Sequence, residues 1–158
     1  MIRPTRTHGQ FLEFFQTRRA QLNVKVPHDE TALWCKFRRL DLSTAYPILA
    51  RLYNSDQGRP ARPPEDMLRS CLLMLECHIT SVPVWVHRLK EQPFYALLSG
   101  FDPDDVPGMG TFYDFQDRVL QLDDPVLNQA CRPRRRSEQR KKDASLRDKN
   151  NLAPHVGI

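Results

Sequence analysis

The pattern of apolar and polar residues along this chain predicts helices and no strands. Phe11, Phe15 and Leu22 recur at helical spacing and predict a first helix over residues 8–22. Similar patterns predict helices over residues 29–40, 43–54, 64–79, 94–98 and 111–122, with one more opened by Pro83. No alternating run is long enough for a strand. We therefore expect an all-α fold in which five or six of these segments form short helices.

Several of these helices begin at residues that suit a helix N-terminus. Asp29 and Ser43 can accept hydrogen bonds from the exposed amides of the first turn. Thr111 is followed three positions later by Asp114, which resembles a capping box with Asp in place of Glu. The sequence thus predicts N-caps at these three positions.

The segment 64–79 carries the broadest apolar face and is expected to form the central helix of the core. The residues of this face are Met67, Leu68, Cys71, Leu72, Leu75 and Ile79, and Leu73 and Met74 widen it. In the next helix Val84, Val86 and Leu89 are expected to face inward, with Trp85 at the edge of the same face. Both helices therefore contribute to one predicted core.

Charge divides the chain into three parts. Residues 1–62 hold 11 Lys and Arg against 5 Asp and Glu, a net charge of +6. Residues 63–131 hold 4 against 11, a net of −7, and residues 132–158 hold 9 against 3, a net of +6. Basic segments favour a polyanionic partner because binding releases condensed counterions. The acidic middle is expected to face away from such a partner or to meet it with a few selected residues.

These patterns predict three regions. Residues 1–58 form an N-terminal helical segment, residues 59–131 a helical domain, and residues 132–158 a basic tail. Residues 132–151 of the tail hold one large apolar residue, Leu146, and nine basic ones. Such a segment buries too little apolar surface to offset its ordering entropy, so we expect it to be disordered. The tail either contacts DNA phosphates, or is a solvated linker or an end translated from a shifted reading frame.

Cysteine usage and hydropathy favour a cytoplasmic protein. None of the four cysteines forms a C-x-x-C pair, so we expect reduced, buried thiols and do not expect a metal site. No secretion signal or membrane span is expected, since the longest apolar run is only five residues. Cys77 and His87 could suggest a nucleophile pair, but no third orienting group accompanies them. No cofactor is expected either.

The helix that opens at Thr111 can be read in two ways. Phe112, Phe115 and Val119 suit a core, which makes it an ordinary core helix. Its other faces carry Gln and Arg side chains, which can bind adenine and guanine in the major groove, and Thr and Tyr, which can reach phosphates. The same faces carry Asp114 and Asp117, which phosphates would repel. Together with the preceding helices, this segment could form a helix-turn-helix type of unit.

Two sequence strings resemble a known family. The string PFYALLSGF, residues 93–101, fits the pattern P-x-x-x-x-L-x-G-F, and PGMGTFYDF, residues 107–115, fits P-G-x-G-T-F-Y-D-F. An acidic loop, residues 102–105, separates them. This arrangement is similar to the N-terminal domain of bacterial insertion-sequence transposases. The resemblance covers residues 59–122 well and residues 8–58 loosely.

The resemblance implies a DNA-binding domain that recognises the terminal inverted repeats of a mobile element. In that family an RNase H-like domain with an Asp/Asp/Glu metal-binding set cuts and joins the strands. We do not expect this chemistry in the present chain. Asp104 and Asp105 lie in a predicted loop, without the rigid sheet that such a metal site needs. The expected chain is thus a transposase part without its own strand cleavage.

The expected partner is double-stranded DNA, and the resemblance implies a location at the bacterial nucleoid. The expected DNA contacts lie in the loop before the central helix, in the helix from Thr111 and in the tail. They are Arg59, Arg62, Thr111, Tyr113, Gln116, Arg118, Gln121, Arg134, Arg135, Arg136, Lys141 and Lys142.

An alternative is a protein-interaction module. In this hypothesis the acidic middle pairs two copies of the chain, or pairs the chain with full-length transposase and inhibits it. Trp85 and Phe94 are its candidate exposed contacts. Trp34, Trp85 and Tyr113 could also stack on bases, although aromatic residues at helical spacing suit a core as well.

Overall fold

The computed structural model describes residues 2–53 and 60–120. These residues form seven α-helices. They are α1 (His8–Gln21), α2 (Thr31–Phe37), α3 (Tyr46–Ala50), α4 (Pro64–Glu76), α5 (Val82–Glu91), α6 (Pro93–Ser99) and α7 (Met109–Leu120). Short 3-10 turns lie at His28–Glu30, Ser43–Ala45 and Pro103–Asp105. Within the described residues the only strand-like pairing is an isolated parallel bridge between Ile2 and Ala61, so the predicted all-α class is confirmed.

The start of α1 shows why a helix forms there. The Thr7 hydroxyl accepts a hydrogen bond from the Gln10 amide, and the Gln10 side chain accepts one from the Thr7 amide. This capping box satisfies two amides that the first turn would leave without a partner. Phe11 and Phe15 then occupy the buried face of the helix.

Two predicted N-caps, Asp29 and Ser43, are wrong. Asp29 lies inside the 3-10 turn that precedes α2, and no side chain caps that helix. Ser43 begins another 3-10 turn, and its hydroxyl donates to Asp41 Oδ1 at 2.6 Å instead of accepting from the helix. In both places the chain enters the helix through a tighter turn, whose own backbone bonds occupy the first amides.

The central helix of the core is α6 and not α4. All of its side chains from Phe94 to Ser99 are buried, and it contacts α1, α4 and α5. Pro93 separates it from α5, because proline cannot continue the preceding helix. At its other end Gly100 takes a left-handed conformation with φ of 94°, which lets the Phe101 amide reach the Ala96 carbonyl at 2.9 Å. A helix that is buried all round needs no polar face, so its amphipathic pattern is weak.

The buried face of α4 differs from the predicted one. Met67, Leu73 and Met74 are buried, whereas Leu75 is 60% exposed. The buried face also includes polar residues of the first two turns, namely Glu65, Asp66, Arg69 and Ser70. The rest of the predicted face, namely Leu68, Cys71, Leu72 and Ile79, is partly buried against the core. The prediction is therefore wrong for Leu75, and it missed the polar residues that occupy part of the inner side.

The orientation of α5 was also partly mispredicted. Val86 and Leu89 are buried as expected, but Val84 is exposed. Trp85, expected at an edge, is completely buried. Its indole Nε1 donates to Ser70 Oγ at 3.0 Å, and Ser99 Oγ donates to the same oxygen at 3.2 Å. Serines on α4 and α6 thus provide the polar partner that a buried indole requires.

The helices of residues 2–53 and those of residues 60–120 share one core. Phe15 and Phe37 belong to the same buried cluster as Met67, Phe94 and Phe112. The predicted region boundaries at residues 58 and 131 fall outside the described residues and stay predictions. The predicted disordered tail, residues 132–158, lies outside them as well.

Candidate nucleic-acid interface

Helix α7 carries most of the predicted DNA contacts that the structure describes. Phe112 and Phe115 are buried and attach the helix to the core, where Phe112 meets Phe101 edge-on with ring centroids 6.4 Å apart. On the outer side Tyr113 is 47% exposed, and Gln116 is half-buried. The helix therefore has a buried apolar face and an accessible polar face.

The predicted cap at Thr111 is wrong. Helix α7 begins two residues earlier, at Met109, and the Thr111 amide already donates to the Gly108 carbonyl at 3.0 Å. Thr111 thus lies in the first turn, and its side chain is exposed. Residues 108 and 110 are glycines, which have no side chain to contribute to an apolar pattern. The sequence pattern therefore looked helical only from residue 111.

Three of the predicted contacts line one cavity of about 460 Å³ between α7 and the segment that precedes α4. They are Arg62, Thr111 and Arg118, whereas Tyr113 and Gln116 do not line it. The Arg118 guanidinium lies over the Tyr53 ring, 4.6 Å from its centroid. This contact fixes Arg118 beside the cavity by a cation–π interaction.

Arg62 is engaged inside the protein. Its guanidinium donates to the Asp105 carbonyl and to Asp105 Oδ1, each at 2.6 Å, and its side chain is only 15% exposed. Arg3 donates to the second carboxylate oxygen, Oδ2, at 2.8 Å. Desolvation opposes the ionisation of Asp105, but the bonds from both arginines outweigh it, so its pKa lies below the usual value. A phosphate would have to compete with Asp105 for Arg62.

The second carboxylate of the acidic loop is paired in the same way. Arg18 Nη2 on α1 lies 2.6 Å from Asp102 Oδ2 and 2.8 Å from Oδ1. The hydrogen bond from Arg18 lowers the pKa of Asp102. The acidic loop therefore binds arginines from the basic N-terminal segment. A metal ion at Asp105 would first have to displace two guanidiniums, which argues against the use of these carboxylates as metal ligands.

A buried ionic group under this loop was missed at the sequence level. Asp66 and Arg69 on α4 form an ion pair at 2.7 Å, with side chains 7% and 4% exposed. Arg6 approaches Asp66 Oδ2 at 3.3 Å and donates to the Gly100 carbonyl at 3.0 Å. The Arg69 guanidinium also covers the Phe11 ring at 3.8 Å from its centroid. The sequence did contain a sign that Asp66 is buried, because Asp66, Ser70 and Leu73 share one helical face with apolar residues.

Desolvation controls the ionisation of this buried group. It raises the pKa of Asp66 and lowers the pKa of Arg69, because burial disfavours both charged forms. The mutual attraction of the pair acts in the opposite direction. Desolvation also raises the pKa of Glu65, whose Oε2 has no hydrogen-bond partner among the described residues.

The proposed aromatic contacts of the interaction hypothesis are wrong. Trp85 and Phe94 both lie in the core, where Phe94 meets Phe15 edge-on at 6.3 Å between centroids. Trp34 is half-buried and stacks on Phe15 at 4.2 Å with 15° between the ring planes. Of the three aromatic candidates for stacking on bases, Tyr113 is thus the most accessible.

The cysteines of the described residues are free thiols. Burial raises the pKa of Cys71 to about 11, and burial also raises the pKa of Cys77. Both thiols are therefore poor nucleophiles at neutral pH. Cys35 is exposed, so its predicted burial is wrong. Across residues 2–53 and 60–120, no three His, Cys, Asp or Glu side chains are grouped as metal ligands would be.

The remaining predicted contacts lie outside the described residues. They are Arg59, Gln121, Arg134, Arg135, Arg136, Lys141 and Lys142. Among the described helices, none has both the length and the apolar character that crossing a membrane requires.

Comparison with known proteins places the described helices in a family context. No curated protein and no solved structure matches the chain significantly. The model of one protein family, described as Transposase domain (DUF772), matches residues 20–118. The matched segment runs from the end of α1 through most of α7 and covers more than half of the 158 residues. The chain therefore belongs to this transposase-domain family.

Proposed function

We propose that this domain binds double-stranded DNA and recognises the ends of an insertion element during transposition. One observation carries the proposal. Helix α7 is fixed to the core through Phe112 and Phe115, and it presents Tyr113 and Gln116 on its accessible side. Membership of a transposase-domain family supports this role, because such a protein must find the ends of its element.

The geometry of α7 favours contact along one edge of the helix. Tyr113 and Gln116 are three positions apart and lie on neighbouring turns of the same side. Gln116 is suited to bidentate binding of adenine, and Tyr113 to a phosphate oxygen. Asp114 and Asp117 are exposed beside them and would be repelled by the DNA backbone. The proposed approach is therefore by the Tyr113–Gln116 edge and not by the whole helix.

The proposal assigns recognition and not strand cleavage to these residues. Cleavage of a phosphodiester by paired metal ions needs carboxylates that converge and are free to coordinate. Asp102 and Asp105 are instead bound by arginines. The proposed setting is the bacterial nucleoid, where the element resides.

A competition titration tests the proposal. The full chain is titrated onto labelled duplexes that carry the ends of the neighbouring element, at about 150 mM salt. Unlabelled element ends and shuffled duplexes of equal length and composition serve as competitors. The proposal expects the element ends to compete at least about tenfold better. Equal competition by both duplexes would contradict specific recognition.

A further inference from the structure

A groove between α1 and α2 has a different charge balance from the cavity beside α7. Its volume is about 360 Å³, and it is lined by Leu12, Phe15, Gln16, Arg19, Trp34 and Arg38. Two guanidiniums therefore line it, and no carboxylate does. The cavity beside α7, by contrast, includes Asp105 and Asp114 among its lining residues.

Helix geometry separates two consecutive arginines of α1. Successive residues of an α-helix point about 100° apart, so Arg18 and Arg19 face different surroundings. Arg18 reaches Asp102 of the acidic loop, whereas Arg19 lines the groove. The groove thus receives a side chain from α1 that the acidic loop does not neutralise.

The opposite wall of the groove is fixed by contacts in the middle and at the end of α2. Trp34 stacks on Phe15, and this aromatic pair joins α2 to α1. At the end of α2, the Arg38 carbonyl lies 3.0 Å from His8 Nε2 at the start of α1. The backbone that carries Arg38 is therefore held in place before any ligand binds, which lowers the entropy lost on binding.

The arginines of the described residues fall into two groups. Those that form ion pairs are Arg3, Arg6, Arg18, Arg62 and Arg69. Six form no ion pair with any described residue, namely Arg19, Arg38, Arg39, Arg51, Arg88 and Arg118. Of these six, Arg19 and Arg38 line the groove. Guanidiniums that lack a carboxylate partner beside an apolar wall retain their attraction for phosphate, and the wall strengthens it by excluding water.

We infer that this groove is a second DNA contact, at which Arg19 and Arg38 bind phosphates of the duplex backbone. The inference rests on the proposed function and assigns a further role within it. The groove supplies affinity that does not depend on base sequence, while the Tyr113–Gln116 edge of α7 supplies discrimination. Phosphate contacts set the position of a protein on the duplex, and base contacts set its preference.

A pair of double variants of the full chain tests the inference. The groove variant is Arg19→Gln with Arg38→Gln. The control is Arg51→Gln with Lys90→Gln, which changes the net charge equally at exposed residues that do not line the groove. Duplex binding is measured at several salt concentrations. We expect the slope of log affinity against log salt to become less steep by about 0.9 for each lost phosphate contact in the groove variant. The control should keep the wild-type slope.

A charge-preserving variant and the folding of each protein complete the test. Arg19→Lys with Arg38→Lys should keep most of the slope, and circular dichroism should show that all variants keep their helices. Equal slopes for the groove variant and the control would overturn the inference while the proposed function stands. If the groove variant loses more affinity for single-stranded DNA than for duplex, the inference is overturned in favour of a base-stacking site at Trp34. Absence of duplex binding by the wild type would overturn both proposals.

Discussion

The carboxylate of Asp66 occupies the space that a side chain at Gly100 would need. A Cβ atom built on Gly100 would overlap the carboxylate and would lie 3.2 Å from Arg69 Nη1. Gly100 also has a φ of 94°, which side chains rarely adopt. The end of α6 and the buried ion pair of α4 therefore depend on each other. This contact joins the sequence string around residue 100 to the most buried charges of the domain.

Gly100→Ala should destabilise the protein by at least about 2 kcal/mol. About 1 kcal/mol comes from the left-handed backbone, and the overlap with Asp66 adds to it. Gly110→Ala is a suitable control, since nothing lies within 4 Å of a Cβ there and the residue is in α7. That change should be neutral or stabilising by up to about 1 kcal/mol. Urea denaturation of both variants measures the difference, and equal stabilities would contradict the described packing.

Removal of one partner from the buried pair should be strongly destabilising. Arg69→Met leaves Asp66 buried with only the more distant Arg6, and a loss of about 3–5 kcal/mol is expected. Replacement of both partners by apolar residues, Asp66→Leu with Arg69→Met, should destabilise less than the single change. Denaturant midpoints of the two variants are the measurement. A double variant less stable than Arg69→Met would show that the charges contribute more than their desolvation removes.

Acid should weaken the link between α1 and the acidic loop. The pKa values of Asp102 and Asp105 are lower in the folded protein than the value of about 3.9 expected when unfolded. Their contribution is therefore present above about pH 4 and lost as the pH falls through the folded-state pKa values. The variant Asp102→Asn with Asp105→Asn should be less stable at pH 7, and the gap to wild type should shrink below pH 4. A gap that stays constant down to pH 2 would argue against these pairs.

The two tryptophans should report different environments. Trp85→Phe removes the donor to Ser70 and should destabilise by about 1–3 kcal/mol. The variant retains Trp34, which is half-buried, so its fluorescence should lie at longer wavelength than wild type. Trp34→Phe retains the fully buried Trp85 and should shift the emission to shorter wavelength. The opposite order of the two spectra would contradict the assigned burial.

Some features of the fold could be predicted because they follow from residues close together in the sequence. The buried face of α1 follows from Phe11 and Phe15, and the stop of α6 follows from Gly100. The central position of α6 could not be predicted in this way. A short helix buried all round lacks an amphipathic pattern, so its apolar character does not show which helices surround it.

The sequence shows that arginines and carboxylates are present around the candidate site. It does not show which arginine pairs with which carboxylate. The basic segment 1–62 and the acidic middle carry nearly opposite net charges, which is compatible with contact between them. Local patterns do not identify such partners, because Arg3 and Asp105 are 102 positions apart. For the same reason the sequence did not distinguish Arg62, which is bound by Asp105, from Arg19, which lines the groove.

We propose that the accessible edge of α7 recognises the DNA sequence. The most direct measurement compares Kd for element ends with Kd for shuffled duplex, in wild type and in Gln116→Ala. Because a bidentate contact to the correct base contributes about 1–3 kcal/mol of discrimination, the ratio should fall by about 5-fold to 150-fold in the variant. Binding to the shuffled duplex should change little, and the helical circular dichroism should be retained. An unchanged ratio, with wild type still preferring the element ends, would contradict the assignment of sequence recognition to this edge of α7.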